Sequence, residues 1–482
     1  MTEKIIVYAV IVLIMIWSVL IFRKSMHMFQ LNSYRGFDHF KWLWRNDILF
    51  SFKKAKVKKP LVYTNRVKRM CVTSVIIGVG VYVLFITNIY FVYRTLLVVP
   101  SFLFFAELLP IFANIINTPI ERINNNRYIK DAKRIINSQP SLVTIGITGS
   151  YGKTSTKYYL HKLLSVKFNT LMTPESYNTT LGVVKTVRGS LRPTHEVFIC
   201  EMGMKWKGDI KEICDIVKPK HAMITSIGAQ HLESMKTQEN ITNEKFSITD
   251  SITDGNCYLN YDNEYINSRK IEKNIIKYGI YEQNVDYRAT DISVSEKGTT
   301  FTVAVGDEQQ VFQTALIGSH NVQNIVGAIA IAHTLGIKLQ ELLLPVKRLE
   351  TAPHRLEIKS HGGTIIIDDS FNSNPVGAKA ALDTLKIFEG VKILITPGMV
   401  ELGSQSHELN KQLGVNAADC CDYALLIGQK QAVPIKEGLL ESGFDEGKIH
   451  IFDSFNEGMA FANGLNESKK VILIENDLPD NY

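Results

Sequence analysis

The sequence predicts an α/β protein in which transmembrane helices are followed by two domains of mostly parallel strands. Three apolar runs of membrane-spanning length occur before residue 117. From residue 142 onward, strand-like and helix-like segments alternate, which is typical of a parallel sheet with helices on its faces. A glycine-rich loop separates the first strand of that series from its first helix. A chain of 482 residues has room for about three such parts.

The apolar runs cover residues 5–22, 72–93 and 95–116. The first ends in Arg23-Lys24 without a small-residue cleavage site, so we interpret it as an anchor rather than a signal peptide. The second and third runs are separated only by Arg94 and predict a helical hairpin. The alternative is a buried helical pair in a soluble core. Glu107 lies inside the third run, and we assign it no role.

The positive charge of the chain comes from one segment. Between Arg23 and Arg69 there are 13 Lys and Arg against 2 Asp, a balance of +11, so the rest of the chain sums to −4 of the net +7. Because positive loops stay inside, we expect a multi-pass protein of the cell membrane with cytoplasmic catalytic domains. Aromatic residues at 27–46 predict a segment that contacts membrane lipid, the alternative being a solvated linker. A single basic segment argues against nucleic acid as a partner.

Cysteine usage points to a reducing compartment. The six cysteines lack a CxxC spacing, and an adjacent pair is not a zinc motif. We therefore expect reduced thiols and no structural metal at these positions: Cys71, Cys200, Cys214, Cys257, Cys420 and Cys421.

The glycine-rich loop has the composition of a phosphate-binding loop. It follows an apolar strand at 142–147, precedes a helix at 154–166, and consists of Gly149, Ser150, Tyr151, Gly152, Lys153, Thr154 and Ser155. Backbone N–H groups and the helix amino terminus can close around phosphate oxygens, a lysine can neutralise them, and a threonine hydroxyl can hold Mg²⁺. The general motif has a glycine where Ile147 stands. An ordinary glycine-rich turn is the alternative.

Three further candidates follow later strands. Glu201 directly follows the predicted strand at 195–200, His231 follows the predicted strand at 222–227, and Lys245 lies on a predicted helix at 238–248. Ligands bind at the carboxyl ends of strands in such sheets, and a carboxylate beside a nucleotide can hold Mg²⁺. A solvated glutamate and a packed histidine are the ordinary alternatives. We expect the side chains of Lys153, Glu201 and His231 to meet at one site, because each lies at the end of a predicted strand.

The motifs taken together resemble the Mur ligase family of ATP-dependent, amide-forming enzymes, and most closely its MurF-type members. The resemblance covers residues 142 to about 413 and rests on ordered segments: TGSYGKTST, SYNTTLG, EMG(x)4GDI, ITSIGAQHLE, Lys245, GSHNVQN, PHRLE, IDDSFNSNP and GMVELGSQSHE. It implies that Lys153 and Thr154 bind ATP phosphates and a first Mg²⁺, and that Glu201 and His231 hold a second. Lys245 matches the lysine that the family carbamylates.

The resemblance also implies the remaining contacts. Asn321 and Asn324 match adenine-contacting positions, and Arg355 would reach the γ-phosphate. Asp369 and Asn372 match the positions at the ribose and phosphate edge of ATP. Asn178 and Thr179 match substrate-binding positions. The catalytic set implied in this way is Lys153, Lys245, His231 and Arg355.

The expected organisation combines both arguments: a transmembrane region at 1–117 with a basic cytoplasmic loop at 23–69, a linker at 118–141, a P-loop Mur ligase central domain at 142–345, and a Rossmann-like ligase domain at 346–482. We expect amide-bond formation through an acyl phosphate, in synthesis of a cell-envelope precursor such as peptidoglycan. We expect a carboxylate acceptor that is lipid-linked or nucleotide-linked. The sequence does not identify the amine donor.

Three departures keep alternatives open. Membrane spans occupy the place of the MurF uridine-nucleotide domain, Ser226 replaces the usual Asn, and the chain end has no Lys-Gly-Ser stretch. One alternative is a membrane-anchored synthase of an amino-acid polymer, similar to polyglutamate synthases. A second is a membrane scaffold with a vestigial nucleotide fold.

Overall fold

A computed structural model describes residues 2–46, 60–88, 91–371 and 373–477. The chain forms two compact units, of which the first ends at Tyr128 and the second begins at Ile129. Each unit has its own hydrophobic core. The predicted site residues all lie in the second unit, except that Asn372 is outside the described residues.

The first unit is helical. Its helices are α1 (Thr2–Leu31), α2 (Gly36–Asn46), α3 (Asn65–Asn88) and α4 (Phe91–Asn137), the last of which continues into the second unit. A small core forms where α1, α3 and α4 meet, and it contains Met26, Phe29, Val67, Met70 and Ala113. Polar contacts join the same helices: Arg69 pairs with Glu121 at 2.5 Å, and Arg66 donates to Asn114 at 2.8 Å.

The prediction of three membrane spans is wrong. Among the residues that the structure describes, no helix is long and apolar enough to cross a bilayer. Helices also break and continue elsewhere than the apolar runs suggest. The predicted helix break at Arg94 is misplaced, because α3 ends at Asn88 and α4 begins at Phe91, and α4 then runs through the predicted linker to Asn137. The predicted multi-pass location in the cell membrane, and with it a lipid partner, loses its basis.

The predicted lipid-contacting segment at 27–46 consists of the end of α1, a turn, and α2. Helix α2 is amphipathic: His39 and Leu43 are buried, whereas Phe37 and Trp44 are exposed. Most of the lysines of the predicted basic loop lie at 53–59, outside the described residues. Glu107 is buried, and its backbone carbonyl accepts a hydrogen bond from Ser25 Oγ at 2.6 Å.

The second unit begins with the predicted parallel sheet, which is confirmed. Over the described residues, it has nine strands in the order β2-β3-β1-β4-β5-β6-β7-β8-β9. Strands β2 to β7 run parallel, and β7 to β9 form an antiparallel extension. The strands are β1 (Val143–Thr148), β2 (Thr170–Met172), β3 (Val197–Glu201), β4 (His221–Ile224), β5 (Cys257–Asn260), β6 (Ile275–Gly279), β7 (Tyr287–Ser295), β8 (Gly298–Val305) and β9 (Glu308–Thr314).

Helices cover both faces of this sheet, as expected for parallel strands buried on both sides. They are α5 (Lys153–Leu164), α6 (Thr180–Ser190), α7 (Asp209–Val217), α8 (Leu232–Met235), α9 (Gln238–Asp250), α10 (Glu264–Asn267), α11 (Ser319–Thr334) and α12 (Leu343–Lys347). One core packs α5 and α11 on one face, and a second core packs α6, α7 and α9 on the other. This arrangement leaves the carboxyl ends of β1, β3 and β4 at one edge.

A second sheet follows, in the order β10-β11-β15-β12-β13-β14 over the described residues. Its strands are parallel except β10, which pairs antiparallel with β11. The strands are β10 (Glu357–His361), β11 (Thr364–Asp369), β12 (Val391–Thr396), β13 (Tyr423–Ile427), β14 (Ile449–Phe452) and β15 (Lys470–Glu475), and the helices are α13 (Pro375–Ile387), α14 (Ser406–Ala418), α15 (Ala432–Glu441) and α16 (Phe455–Gly464). The predicted second α/β domain is therefore present.

All six cysteines are free thiols in the structure. Five of them are buried, and Cys71 is half-buried. Burial raises the pKa of Cys214 and of Cys257 to about 11, so these two thiols stay protonated at neutral pH. They contribute to packing rather than to chemistry.

Candidate functional site

The glycine-rich loop joins β1 to α5, as predicted, and its lysine folds back over it. Lys153 Nζ donates to the carbonyl of Gly149 at 2.6 Å, an arrangement that shapes the loop around the position of a phosphate. Enclosure by the protein lowers the pKa of Lys153 to about 8; nearby Glu201 opposes this shift, and Arg355 adds to it. The ammonium therefore remains largely charged at neutral pH and can neutralise an anion.

Gly152 is the position where the loop requires glycine. Its φ is +77°, in the left-handed region, and it caps α5. A Cβ built there would lie 2.4 Å from Asn324 Oδ1 on α11. A larger residue at this position would therefore require the Asn324 side chain to move and would also adopt an unfavourable φ.

The segment that follows β4 fixes the conformation of the glycine-rich loop. Ser226, which follows β4, accepts a hydrogen bond from the backbone N–H of Tyr151 at 2.9 Å and donates to the Tyr151 carbonyl at 3.0 Å. Ser150 Oγ donates to the Gly228 carbonyl at 3.0 Å and accepts from the Gly228 N–H at 3.0 Å. The substitution of Ser226 for the usual Asn thus leaves a side chain that still holds the loop.

Glu201 lies at the carboxyl end of β3, where it meets the first turn of α5. Its Oε1 accepts from Thr154 Oγ1 at 3.1 Å and from Asn178 Nδ2 at 3.0 Å. Its Oε2 lies 2.9 Å from Lys157 Nζ, and both side chains of this ion pair are almost completely buried. Burial alone would raise the pKa of Glu201, but the ammoniums of Lys157 and Lys153 bring it below the usual value. Glu201 is therefore ionised.

The residues around Glu201 fit a hard divalent cation. A threonine hydroxyl and an ionised carboxylate 3.1 Å apart are oxygen ligands of the kind that Mg²⁺ prefers, and they adjoin the phosphate loop. The carboxylate is held in place by Asn178 and Lys157, so its orientation does not depend on the ion. Thr154 and Glu201 would hold Mg²⁺ bound to ATP.

His231 lies in the turn between β4 and α8, and it meets a residue of the second sheet. Its Nδ1 is 2.7 Å from Glu401 Oε2, in the loop after β12. Lys205 Nζ donates to Glu401 Oε1 at 3.1 Å. Hydrogen bonding to His231, together with the charge of Lys205, lowers the pKa of Glu401 to about 2 against the effect of burial. Glu401 is thus a carboxylate that links the two sheets at the predicted site.

Lys245 is buried on α9, with 1% of its side chain exposed. Burial, together with the like charge of Lys153, lowers the pKa of Lys245 well below that of a free lysine. The amine is therefore biased toward its neutral form, which is the nucleophilic form. Its neighbour Glu244 accepts hydrogen bonds from the backbone N–H groups of Gly208 and Ile210.

Arg355 lies beside the carboxyl end of β11, stacked over the ring of Phe371 at 4.3 Å. Burial lowers its pKa, and the charges of Asp369, Glu201 and Glu475 act in the opposite direction, so the guanidinium is flanked by anionic groups of both sheets. Asp369 accepts from the backbone N–H of Leu356 at 3.1 Å. In this way Asp369 fixes the segment that carries Arg355.

Asp369 and Glu475 are adjacent partners in the register of β11 and β15, and both are buried. Burial raises the pKa of Asp369 to about 6, although Arg355 opposes the shift. Burial and the neighbouring Asp369 raise the pKa of Glu475 well above its usual value. Burial and proximity therefore disfavour a negative charge on both carboxyl groups at once.

Other predicted positions have structural partners. Tyr159 OH donates to Asn321 Oδ1 at 2.8 Å, and Asn321 Nδ2 donates to the Ile317 carbonyl, so this amide holds α11 against α5. Asn324 Oδ1 accepts from Thr156 Oγ1 at 3.2 Å. Thr179 caps α6, accepting from the Gly182 N–H. The adenine and substrate roles of these residues stay predictions, as does the role of Asn372.

A separate cluster offers metal-ligand atoms within 4.8 Å of one another, from His354, Glu357 and Asp368. Lys359 Nζ lies 3.1 Å from Glu357 and 3.2 Å from Asp368. The lysine ammonium therefore supplies the positive charge between these carboxylates.

Sequence reasoning missed Lys157 and Glu401. Lys157 lies one helical turn after Lys153, and this i,i+4 spacing was the available signal that it faces the same site. Glu401 lies inside a motif on which the resemblance rests, yet its contact with His231 depends on how the two sheets pack. The structure brings Lys153, Thr154 and Glu201 together, with Arg355 close enough to act on their charges.

Comparison with known protein families finds a match for each of the two sheet-containing domains. The Mur ligase middle domain matches residues 147–332, and the Mur ligase glutamate ligase domain matches residues 354–475. Together the two matches cover more than half of the chain.

Comparisons with individual proteins give the same result as the family matches. The chain is 33% identical over 309 residues to the UDP-N-acetylmuramoyl-tripeptide–D-alanyl-D-alanine ligase of Bacillus subtilis strain 168, a match that covers 63% of this chain and 66% of that protein. The chain thus spans just under two thirds of that relative's length. Its structure resembles MurF from Acinetobacter baumannii, with a TM-score of 0.66 and 25% identity over 73% of this chain and 77% of that one. MurF ligase from Thermotoga maritima in complex with ADP has the same fold, with a TM-score of 0.64 and 23% identity over 73% and 80%.

Proposed function

Since this chain belongs to the Mur ligase family, we propose that it is an ATP-dependent, ADP-forming ligase that joins an amine to a carboxylate in peptidoglycan precursor synthesis. One observation supports this most strongly. Thr154 and Glu201 meet at 3.1 Å directly after the phosphate loop, and Arg355 of the second sheet lies close enough for its charge to act on both Glu201 and Lys153. Cations of two domains thus lie near one metal-ligand pair, which suits transfer of a phosphoryl group between anions.

The charges of these residues account for the first step. A substrate carboxylate oxygen attacks the γ-phosphorus of ATP, the bond from that phosphorus to the β–γ bridging oxygen breaks, and ADP leaves. Both reactants are anions, so Lys153 and Arg355 lower their repulsion and stabilise the charge of the transition state. Mg²⁺, when bound at Thr154 and Glu201, supplies further neutralisation of the phosphate oxygens. The product is an acyl phosphate.

The second step requires a dry site. The nitrogen of the amine donor attacks the acyl carbon, a tetrahedral intermediate forms, phosphate leaves, and the nitrogen loses a proton to give the amide. Water would hydrolyse the acyl phosphate. The second sheet brings Glu401 to His231 and Arg355 near Glu201, and this packing supports a site that is shared by both domains.

For the substrates, we propose the pair contained in the name of the Bacillus subtilis relative, a UDP-linked muramoyl tripeptide and D-alanyl-D-alanine. That name specifies a nucleotide-linked acceptor, so we no longer favour a lipid-linked one. Asn178 and Thr179 would lie near this acceptor, because Asn178 contacts the proposed metal-binding Glu201 at 3.0 Å.

Carbamylation of Lys245 is a further part of the proposal. A buried amine with a lowered pKa can capture CO₂ and become an anion, which would suit a second metal ion as an ammonium would not. Replacing Lys245 by alanine would then reduce ADP formation, and added acetate or formate would restore part of it. An absence of rescue at any concentration of these carboxylates would remove the carbamate from the proposal.

The function is tested by incubating the full chain with Mg·ATP, UDP-N-acetylmuramoyl-tripeptide and D-alanyl-D-alanine. We expect one ADP per amide product, measured by a coupled ADP assay and by mass spectrometry of the product. Omission of the dipeptide is the control and should remove the amide product. ATP binding without ADP formation would favour a vestigial scaffold, and products longer than one addition would favour a polymer synthase.

A further inference from the structure

Glu401 connects the two sheets of the second unit at His231. It lies in the loop after β12, whereas His231 and Lys205 belong to turns that follow β4 and β3. Its carboxylate uses one oxygen for each partner: Oε2 lies 2.7 Å from His231 Nδ1, and Oε1 lies 3.1 Å from Lys205 Nζ. About a quarter of the Glu401 side chain is exposed, so the contact is partly shielded from water.

The ring nitrogen that Glu401 contacts determines which nitrogen of His231 can bind a metal ion. A carboxylate can only accept at this distance, so Nδ1 carries the hydrogen and donates it. In the neutral imidazole, the second ring nitrogen, Nε2, then holds the lone pair with which a histidine binds a metal ion. A carboxylate behind an imidazole in this way fixes its tautomer and ring orientation and strengthens it as a ligand.

The backbone on both sides of this contact has unusual conformations. Glu401 has φ +62° and His231 has φ +57°, left-handed conformations that cost energy in residues with a side chain. The Glu401 loop is anchored by Asn410, which accepts from the Met399 N–H at 2.8 Å and donates to the Met399 carbonyl at 3.0 Å. A simple ion pair that links two surfaces needs no such conformations, since long side chains on ordinary backbone can form one.

We infer that Glu401 is a positioning residue that prepares His231 as a metal ligand when the second sheet packs against the first. The inference rests on the proposed function, because it concerns the second metal ion of that reaction, for which the family resemblance implies Glu201 and His231 as ligands. It adds a coupling: the imidazole is held by a residue of the other sheet, so we expect metal binding and the packing of the two sheets to favour each other.

The test uses Mn²⁺ in place of Mg²⁺, bound with the ATP analogue AMP-PCP, whose bridging carbon adds no nitrogen near the metal. Electron spin echo envelope modulation then detects ¹⁴N from an imidazole bound to Mn²⁺. We expect the signal in the unaltered full chain with its affinity tag removed, and its loss in His231→Gln. In Glu401→Ala we expect the signal to weaken strongly and the Kd for Mn²⁺ to rise about 10-fold to 100-fold.

Two variants serve as controls. Lys205→Ala removes the other partner of Glu401 but leaves His231 its carboxylate, and Glu408→Gln changes an exposed carboxylate later in the same segment. Both should keep the ¹⁴N signal. If Glu401→Ala does not fold, as judged by circular dichroism, Glu401→Gln is measured instead; its amide oxygen still accepts from Nδ1, so we expect a smaller loss of affinity with the signal retained.

The outcomes separate the inference from the proposed function. An unchanged signal and Kd in Glu401→Ala, or in Glu401→Gln a Kd equal to that of the unaltered chain, would overturn the inference while ADP formation continued. A ¹⁴N signal absent from the active, unaltered chain would overturn it as well, because His231 would then not be a ligand. Absence of ADP formation by the unaltered chain would instead count against the proposed function.

Discussion

Lys157 Nζ lies 2.9 Å from Glu201 Oε2, and neither side chain is more than 1% exposed. The ammonium also donates to the backbone carbonyl of Glu175. A buried ion pair of this kind leaves an uncompensated charge when one partner is removed, which is far more costly than the loss of a surface pair. The pair therefore holds the proposed metal-binding carboxylate in place. The stability of the protein then depends on the presence of both partners.

Lys157→Met should lower the free energy of unfolding by about 3–5 kcal/mol, because Glu201 would remain buried without its cation. Urea denaturation followed by circular dichroism measures this change. Lys162→Met, on the exposed face of the same helix, should change stability by no more than about 0.5 kcal/mol. The double variant Lys157→Met with Glu201→Leu should recover part of the loss. A single variant as stable as the parent would contradict the buried pair.

Much of the second unit could be predicted from local sequence. The predicted strand at 195–200 is β3, Val197–Glu201, and the predicted helix at 238–248 is α9, Gln238–Asp250. Apolar runs bounded by turn residues suffice for such elements. The convergence of Lys153 and Glu201 was also predictable, since parallel strands deliver their carboxyl ends to one edge.

The missed features depend on contacts between distant segments. Lys157 reaches Glu201 because β3 lies beside β1, an order that no local pattern contains. Glu401 reaches His231 because two sheets pack together. In the first unit, hydropathy alone was a poor guide: it located a helix break at Arg94, but α4 begins at Phe91 and includes both the apolar run and the charged segment after it.

Lys153→Ala should abolish measurable ADP formation. The lysine folds over the phosphate loop, where its Nζ lies 2.6 Å from the Gly149 carbonyl, and it supplies a positive charge where the phosphate charge develops. Loss of one such group is expected to cost at least about 100-fold in kcat. The measurement is the coupled ADP assay, with Lys162→Ala as the control on the same helix. Turnover within a few-fold of the parent would remove the lysine from the mechanism.

Asp369 should make stability depend on pH. Burial raises the pKa of Asp369 to about 6 in the folded chain, from 3.8 for the unperturbed group, so the folded state holds this proton more tightly than the unfolded state. The resulting stabilisation is complete below the unfolded pKa and is lost as pH rises through about 6. Unfolding free energy should therefore fall between pH 4 and pH 7, by on the order of 2 kcal/mol from this group.

Asp369→Asn should flatten that dependence, because the amide does not titrate, and it should also reduce ADP formation if Asp369 contacts the nucleotide. Asp383→Asn, an exposed carboxylate on α13, is the matched control and should leave the slope unchanged. Chemical denaturation at several pH values gives the slopes. Equal slopes in Asp369→Asn and the parent would assign the pH dependence to other groups.

Gly152→Ala should weaken both the fold and nucleotide binding. The residue has φ +77°, which alanine adopts at a cost of about 1 kcal/mol, and the new methyl group would lie 2.4 Å from Asn324 Oδ1. We expect a destabilisation of about 1–3 kcal/mol in urea and a weaker Kd for an ATP analogue in calorimetry. Gly189→Ala, at a helical position with no atom within 4 Å of the new Cβ, should be neutral or slightly stabilising. Asn324→Ala removes the atom that the new methyl group would meet, so Gly152→Ala should cost less stability in the Asn324→Ala background than in the parent, where the steric part is added to the cost of the positive φ. An equal cost in both backgrounds would show that the close approach of the loop to Asn324 does not set the requirement for glycine.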